Sequence, residues 1–212
     1  MRYYPIYLDL KDRAVLVVGG GEIAEGRTRQ LVDAGARVRI VSPSLTPHLS
    51  GLVSRGLIEH RARGFVKDDL KDVYLVVGAT DEQTVNEEVA RWASELGLLY
   101  NVVDRPSLCN FITPALVTRG ELQISISTGG GSPSLAQRVK REVAALIGEE
   151  YGELLRIAAE MRAEAKRRIP DFEKRRQVLH EFVESEAIDL IRQGRCEAAR
   201  ELARSLLGKF EI

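Results

Sequence analysis

The sequence is poor in the features that mark disulfide scaffolds, metal sites and membrane segments. Among its 212 residues are two cysteines, Cys109 and Cys196, which lie far apart and fit no metal-ligand spacing. No apolar run is long enough to cross a bilayer, and none resembles the apolar part of a signal peptide. Free thiols without such a signal predict a cytoplasmic location, and we expect neither a membrane partner nor a resident metal.

An excess of charge of either sign is also missing. The 31 Lys and Arg residues balance 31 Asp and Glu residues, so the formal net charge is +0. The chain therefore lacks the basic field that attracts nucleic acid, and we expect no nucleic-acid partner. Its length suits one large domain, or a domain with a smaller addition.

The first half of the chain alternates regularly between apolar strand-like segments and helical segments. Continuous apolar strands separated by helices indicate a parallel sheet covered on both faces. Right-handed crossovers then predict a Rossmann-type, doubly wound α/β fold. The predicted strands are 14–18, 38–41, 57–60, 73–79 and 98–103, and the predicted helices are 22–34, 45–55 and 82–96.

The pattern changes after about residue 110. Alternating apolar residues predict a β-hairpin with its turn at Arg119-Gly120, and an exposed hairpin edge favours a partner. Ser132 and Pro133 suit the N-cap and first residue of a helix, and from Glu149 onward the pattern is helical. We therefore predict three parts, namely a Rossmann domain, a hairpin-plus-helix region and a helical C-terminal domain, at residues 1–112, 113–148 and 149–212.

One short stretch points to a ligand. Gly19, Gly21 and Ala24 fit the pattern G-x-G-x-x-G/A, with a predicted strand before it and a helix after it. Gly19 permits the tight turn, Gly21 lets a pyrophosphate approach the backbone, and Ala24 lets the helix pack close to the sheet. The helix N-terminus attracts phosphates. The stretch predicts a dinucleotide site; the alternative is a glycine-rich turn that binds nothing.

The ends of the second and fourth predicted strands add polar candidates. NAD-preferring folds usually carry an Asp or Glu after the second strand, but here Ser42 and Ser44 are the groups that could bond the ribose. The choice between NAD and NADP therefore stays open. Thr80 and Asp81 follow the fourth strand, where they could contact the cofactor, cap the next helix or do both.

The fifth predicted strand leads to Asp104 and Arg105. Asp104 lies where a Rossmann-type enzyme presents an acid to its substrate, and Arg105 could hold a substrate carboxylate. The alternative is a surface ion pair between the two. No histidine lies at a strand end where a hydride-transfer base would sit, so simple hydroxy-acid dehydrogenase chemistry is disfavoured.

A second glycine-rich loop, residues 128–131, precedes Ser132. Its backbone amides and the N-terminus of the following helix could form a second anion site, for an anionic substrate. Alternatively, the loop only reverses the chain into the helix.

Several motifs, in this order along nearly the whole chain, resemble the precorrin-2 dehydrogenase family, which includes the N-terminal modules of siroheme synthases. Together they are more specific than the glycine turn alone. The motifs are residues 4–10, 17–21, 79–81 with Asn86, 101–104, 110–115 and 127–133.

The resemblance implies NAD-dependent oxidation of precorrin-2 to sirohydrochlorin, on the way to siroheme or cobalamin. Some members of the family also insert Fe²⁺ or Co²⁺ into sirohydrochlorin, so these ions are candidate metal substrates. The resemblance further implies a homodimer built through the hairpin-plus-helix region, and a helical C-terminal domain that helps enclose the tetrapyrrole. Asp104 is the implied catalytic acid/base residue.

The resemblance also carries cofactor contacts to Glu22, Ile23, Pro43 and Ser44, and a substrate-side hydroxyl to Thr128. Together with the positions argued above, the predicted cofactor-binding residues are Gly19, Gly20, Gly21, Glu22, Ile23, Ala24, Pro43, Ser44, Thr80 and Asp81. The predicted substrate-binding residues are Asn101, Arg105, Thr128, Gly129, Gly130 and Ser132.

One departure from the family and two rival functions stay open. Many members carry Arg-Lys in the first helix where this chain has Gly26-Arg27, which puts the cofactor affinity in doubt. The chain could instead be a non-catalytic NAD-sensing module, or another NAD(P)-linked oxidoreductase that acts on a polyanion.

Overall fold

The computed structural model describes residues 3–210. The chain divides into two units, Met1–Thr113 and Pro114–Ile212. Within the first unit, short runs of β-branched and other apolar residues form the strands of one sheet. These strands are β1 Ala14–Val18, β2 Arg37–Val41, β3 Glu59–Arg61, β4 Leu75–Gly78 and β5 Leu99–Val102.

The five-stranded sheet has the order β3-β2-β1-β4-β5, and every neighbouring pair is parallel. The order reverses between β1 and β4, which leaves a crevice beyond the carboxyl ends of these two strands. The predicted doubly wound α/β fold is confirmed. The strands are mostly shorter than predicted, because the flanking apolar residues belong to the connections. The further division of residues 113–212 into two parts stays a prediction.

Helices cover both faces of this sheet, because alternate residues of a strand point to opposite faces. Val15 and Val17 pack in the cluster that contains α1 Glu22–Asp33 and α2 Pro47–Ser54. Leu16 and Val18 pack in the cluster that contains α3 Gln83–Glu95. All four β1 side chains are at most 2% exposed, and burying a side chain of this kind stabilises the fold by roughly 1.5–3 kcal/mol.

A buried carboxylate fixes the connection between β3 and β4. Asp69 is fully buried and accepts hydrogen bonds from Arg61 at 2.5 Å, from Arg63 at 2.6 Å and from the backbone N–H of Val66 at 3.1 Å. Burial alone would raise the pKa of Asp69, but these donors outweigh it and lower the pKa to about 2. The carboxylate therefore stays ionised and holds the loop.

The second unit begins with an antiparallel hairpin, β6 Ala115–Arg119 and β7 Leu122–Ile126. Its two-residue turn is Gly120-Glu121, one position later than predicted, because Arg119 still pairs with Leu122. Gly120 has φ +56°, the left-handed conformation that such turns need. A Cβ on Gly152 would lie 2.7 Å from the carbonyl oxygen of Arg119, so this glycine permits close packing against the hairpin.

Five helices follow the hairpin in the part of the second unit that the structure describes, up to residue 210. Helix α4 is capped by Ser132, as predicted, and the Arg119 guanidinium donates to the carbonyls of Ala144 and Ile147 at its end. The last four helices share one apolar core, in which Ile157, Met161 and Phe182 are at most 3% exposed. The helices are α4 Pro133–Leu146, α5 Glu150–Arg168, α6 Phe172–Val183, α7 Ala187–Arg192 and α8 Cys196–Lys209.

Breaks between these helices follow local chemistry. Pro170 and Gly194 separate α5 from α6 and α7 from α8, as the sequence predicts. The break between α6 and α7 was not predicted; there the Ser185 hydroxyl donates to the carbonyl of Phe182 and accepts the N–H of Ala187. Between residues 3 and 210, no helix is both long and apolar enough to cross a membrane.

Candidate active site

A groove of about 780 Å³ lies at the carboxyl ends of the strands of the first unit. Four connections meet there: the glycine loop after β1, the loop after β2, the loop after β4 and the end of β5. This is the crevice that the strand order creates, so the fold itself positions the groove. Its lining residues are Gly19, Gly20, Gly21, Glu22, Ile23, Ser42, Pro43, Ser44, Leu45, Thr46, Ala79, Thr80, Asp81, Glu82, Val103 and Asp104.

The glycine loop is tight at its start and open at its end. Gly19 has φ +122°, and a Cβ there would lie 2.2 Å from the carbonyl oxygen of Ala79, so only glycine fits. At Gly21 a Cβ would meet no atom within 4 Å. Gly21 is the N-cap of α1 and has no side chain to occupy the first-turn N–H groups. This open helix N-terminus fits the pyrophosphate of a dinucleotide.

Gly20, which has no side chain, and Ala24, whose side chain is small, allow neighbouring parts of the chain to pack closely around the loop. A Cβ on Gly20 would lie 2.0 Å from the carbonyl oxygen of Ser44, so the loop after β2 closes directly on this glycine. Ala24 is fully buried in the core and does not line the groove. The prediction that Ala24 is itself a cofactor contact is therefore not supported; its small side chain acts by letting α1 pack on the sheet.

In the loop after β2, a serine hydroxyl forms a hydrogen bond within the loop itself. The buried Ser42 hydroxyl donates to the carbonyl of Ser44 at 2.7 Å, so its proton is not available to a ribose. Pro43 and Ser44 are exposed and line the groove. His60, which the sequence did not single out, donates from Nε2 to the carbonyl of Ser42 at 2.9 Å and supports the loop from β3.

Thr80 and Asp81 both line the groove after β4. The Thr80 hydroxyl accepts the N–H of Glu82 at 3.3 Å, but the N-cap of α3 is Glu82 itself. The Asn86 amide donates to the carbonyl of Thr80 at 2.8 Å and fixes the same loop from α3. Thr80 and Asp81 therefore remain predicted cofactor contacts, while Thr80 also stabilises the turn into the helix.

Asp104 reaches the groove from the end of β5. It has φ +59°, a left-handed conformation that is uncommon outside glycine, and its side chain is exposed. The N–H of Arg105 donates to the carbonyl of Val102 and closes the turn. Arg105 is exposed but does not line the groove, and within residues 3–210 no ion pair joins it to Asp104. The carboxylate of Asp104 is therefore accessible from the groove.

Asn101 does not contact the groove. It is 7% exposed, and its amide donates to the carbonyl of Phe111 at 3.0 Å. The adjacent Cys109 thiol accepts a hydrogen bond from the N–H of Val102 and lies within hydrogen-bond distance of the carbonyls of Val102 and Arg105. Burial raises the pKa of this thiol. The prediction of Asn101 as a substrate contact is therefore not supported: Asn101 and Cys109 hold the segment after Asp104 in place.

The second glycine-rich loop belongs to the second unit and is closed by its own polar groups. The Thr128 hydroxyl donates to the carbonyl of Ser132 at 3.1 Å and accepts the N–H of Ser132 at 3.2 Å. The Ser132 hydroxyl accepts the N–H of Leu135. Gly129 and Gly130 are exposed and have positive φ. This geometry fits the reversal of the chain, and substrate binding by these residues stays a prediction.

Three family descriptions match successive parts of the chain. Residues 6–115 match "Putative NAD(P)-binding", and residues 119–146 match "Sirohaem biosynthesis protein central". Residues 150–207 match "Sirohaem synthase dimerisation region". The chain belongs to the precorrin-2 dehydrogenase and siroheme synthase N-terminal-module family. The dimerisation match falls on α5 to α8, whereas the sequence analysis expected dimerisation through residues 113–148; a role of the hairpin in a dimer therefore stays a prediction.

Members of this family include bacterial siroheme synthases. The chain is 41% identical to the siroheme synthase of Thioalkalivibrio sulfidiphilus (strain HL-EbGR7) over 207 residues, which are 98% of this chain and 42% of that protein. It is 40% identical over 209 residues to that of Stutzerimonas stutzeri (strain A1501), covering 98% and 45%. The chain thus spans less than half the length of these relatives.

A solved structure in the family has the same fold along its whole chain. It is that of SirC, a precorrin-2 dehydrogenase, with a TM-score of 0.81 and 27% identity. The match covers 96% of this chain and 100% of that one. Both units of the family module are therefore present here.

Sequence patterns leave several of the residues that line the groove unidentified. Leu45, Thr46, Ala79, Glu82 and Val103 were not predicted. Ala79 and Val103 directly follow strand ends, and Glu82 lies in the same connection as Ala79, just before α3, so the strand–loop–helix pattern could have found them. Thr46 could not be found in this way, because its place depends on how the loop after β2 folds over Gly20.

The side chains that line the groove carry only negative charge. Glu22, Asp81, Glu82 and Asp104 are acidic, and none of the described lining residues is Lys, Arg or His. A phosphate group in the groove must therefore rely on backbone N–H groups and on the N-terminus of α1.

Proposed function

We propose that the chain catalyses the NAD-dependent oxidation of precorrin-2 to sirohydrochlorin in siroheme biosynthesis. The observation that carries the proposal is that one groove holds both the open glycine loop at Gly21 and the accessible carboxylate of Asp104. The likeness to a precorrin-2 dehydrogenase over that whole chain supports the same substrate. A pure NAD-sensing module would have no need of an acid at this position.

The reaction removes two hydrogen atoms from the tetrapyrrole, one as a hydride and one as a proton. NAD, when bound, supplies the hydride acceptor. In this chain the N–H groups at the start of α1 hold the pyrophosphate, and Gly21 leaves room for it. Thr80 and Asp81 border the same groove after β4.

We assign the proton to the carboxylate of Asp104. A catalytic base must reach its proton within hydrogen-bond distance, directly or through one water molecule. The left-handed turn at Asp104 directs the chain so that this residue lines the groove, while Asn101 and Cys109 fix the segment that follows. Asp104 is thus the proposed catalytic residue.

The proposal is tested by mixing the purified full chain with precorrin-2 and NAD⁺ and following NADH absorbance. We expect turnover by the wild-type chain and a loss of about 100-fold or more in kcat for Asp104→Asn. Asp81→Asn, which removes the same charge from the same groove, serves as the matched comparison and should lower kcat less. Near wild-type turnover by Asp104→Asn would contradict the role of Asp104, and no turnover by the wild type would contradict the function.

Metal insertion is a separate proposal about the same site. Fe²⁺ or Co²⁺ would be a substrate here: within residues 3–210 no group of three or more His, Cys, Asp or Glu side chains is placed to hold a metal. The exposed Asp104 carboxylate could accept the protons that leave the pyrroles. Comparing insertion into sirohydrochlorin with and without the chain tests this, and equal rates would remove chelation from the account.

A homodimer in the cytoplasm completes the proposal. The match of residues 150–207 to a dimerisation region supports self-association, and the two free cysteines suit a reducing compartment. Sedimentation of the purified chain tests the dimer. A monomer at all concentrations would contradict it.

A further inference from the structure

The groove holds no acid directly after β2, where NAD-selective folds usually carry one. That acid normally accepts a hydrogen bond from the ribose 2′-hydroxyl and repels the 2′-phosphate of NADP. A carboxylate from another element reaches the same loop instead. Glu25, in the first turn of α1, has Oε2 only 2.6 Å from the hydroxyl oxygen of Thr46.

The chemistry of the two side chains fixes the direction of the hydrogen bond between Glu25 and Thr46. The Glu25 carboxylate can only accept, so the Thr46 hydroxyl donates its proton to it. The Thr46 oxygen also accepts the N–H of Leu49 at 3.2 Å, as the N-cap of α2. One lone pair of the Thr46 oxygen then remains for a further donor, and no proton remains for an acceptor.

We propose that the Glu25–Thr46 pair selects NAD over NADP, an inference that rests on the proposed dinucleotide site. Thr46 lines the groove and can accept a hydrogen bond from a ribose 2′-hydroxyl. A 2′-phosphate has only acceptor oxygens and carries close to two negative charges near neutral pH. The Thr46 hydroxyl has no proton left to donate to this 2′-phosphate, and the negative charge of Glu25, which lies behind the hydroxyl, repels it.

The neighbouring groups act in the same direction. Ser42 donates its proton to the carbonyl of Ser44, so it too offers no donor to a phosphate. The exposed Ser44 hydroxyl can turn to donate or to accept, so it favours neither cofactor. Among residues 3–210, Glu25 has one ionic partner, Arg29, at 3.4 Å. That arginine is 60% exposed, and such a pair neutralises the carboxylate only weakly.

Glu25 acts through Thr46 and is therefore a positioning residue, so its test uses a ratio of affinities. Calorimetry on the full chain would measure Kd for 5′-AMP and 2′,5′-ADP, and for NAD⁺ and NADP⁺. We expect the wild-type chain to prefer the ligands without a 2′-phosphate. Glu25→Ala frees the Thr46 proton, removes the charge and leaves Arg29 unpaired, so the preference should fall by about tenfold or more.

Two further variants separate this role from a structural one. Glu25→Gln keeps an acceptor for the Thr46 proton but removes the charge, so it should lower the preference less than Glu25→Ala. Asp33→Ala removes the same charge from the exposed last residue of α1 and should leave the ratio unchanged. A structural role alone would weaken both ligands equally and would not move the ratio.

The outcomes distinguish this inference from the proposed function. Equal wild-type affinity for both ligand classes, or an unchanged ratio in Glu25→Ala, overturns the inference while oxidation of precorrin-2 can still stand. A chain that binds NAD⁺ with the expected preference but does not oxidise precorrin-2 overturns the function and leaves the selectivity in place. No binding of NAD⁺ overturns both.

Discussion

The two glycine-rich loops have similar compositions and each precedes a helix, yet they differ in what they leave free. In the loop at residues 19–21, Gly21 caps α1 without a side chain and has open space in front of it. In the loop at residues 128–132, the hydroxyl groups of Thr128 and Ser132 form hydrogen bonds with backbone groups of the loop and of α4. A capping side chain takes one of the free N–H groups at a helix N-terminus, so an uncapped N-terminus offers more of these groups to an anion.

This difference explains why the first loop, and not the second, is assigned to the dinucleotide. The first loop also lies at the switch point of a parallel sheet, beside Asp104. The second follows a two-stranded hairpin, whose order creates no such crevice. The contrast between the two loops can be tested with variants in each of them.

Gly19→Ala should damage the first loop far more than Gly129→Ala damages the second. At Gly19 the new Cβ would lie 2.2 Å from a backbone oxygen, and φ is +122°. We expect a loss of about 3 kcal/mol or more in the free energy of unfolding. Gly129 has φ +64° but open space, so its substitution should cost only about 1–2 kcal/mol.

Urea unfolding of both variants checks this prediction. The single tryptophan, Trp92, packs in the core of the first unit and reports on that unit by fluorescence, while circular dichroism follows the helices of both units and so measures the Gly129 variant as well. Equal losses in the two variants would show that Gly19 is not constrained as described.

The first unit should also depend on pH through Asp69. Its pKa is about 2 in the folded chain against the usual 3.8, so the unfolded chain binds this proton more tightly. Asp69 therefore stabilises the fold above about pH 4, and this contribution disappears as the pH falls toward 2. At neutral pH, Asp69→Asn should lower the free energy of unfolding by about 2 kcal/mol or more.

The control for Asp69 is its exposed neighbour. Asp68 pairs with Lys71 and is 77% exposed, so Asp68→Asn should have little effect. Trp92 fluorescence across the pH range measures both variants. A difference between wild type and Asp69→Asn that persists at pH 2 would contradict the assignment.

Removing the side-chain cap in the second loop should have a smaller effect on stability. Ser132→Ala removes the side-chain cap of α4 and should destabilise the chain by about 1 kcal/mol. Ser134→Ala, an exposed position inside the same helix, should be nearly neutral. Circular dichroism during thermal unfolding measures both. A Ser132→Ala variant as stable as the wild type would mean that the cap contributes little and that the two loops are more alike than described.

The sequence predicted those parts of the site that depend on local pattern. Gly19 and Gly21 follow from the strand–turn–helix pattern, and Asp104 follows from the end of an apolar strand. The part played by Asn101 could not be predicted, because it depends on the chain returning at Phe111 to accept a hydrogen bond. Glu25 and Thr46 lie 21 positions apart and meet only once the loop after β2 folds over Gly20. Contacts between loops leave no periodic signal in one sequence.

The most direct test of the contrast is the affinity for NAD⁺ of Gly21→Ala and Gly131→Ala, measured by calorimetry on the full chain. Gly21 has φ −84° and open space, so alanine should leave the fold intact while its methyl group occupies the place of the pyrophosphate. We predict an affinity about tenfold or more below wild type for Gly21→Ala, and wild-type affinity for Gly131→Ala. Wild-type affinity in Gly21→Ala, or a loss confined to Gly131→Ala, would contradict the assignment of the dinucleotide to the first loop.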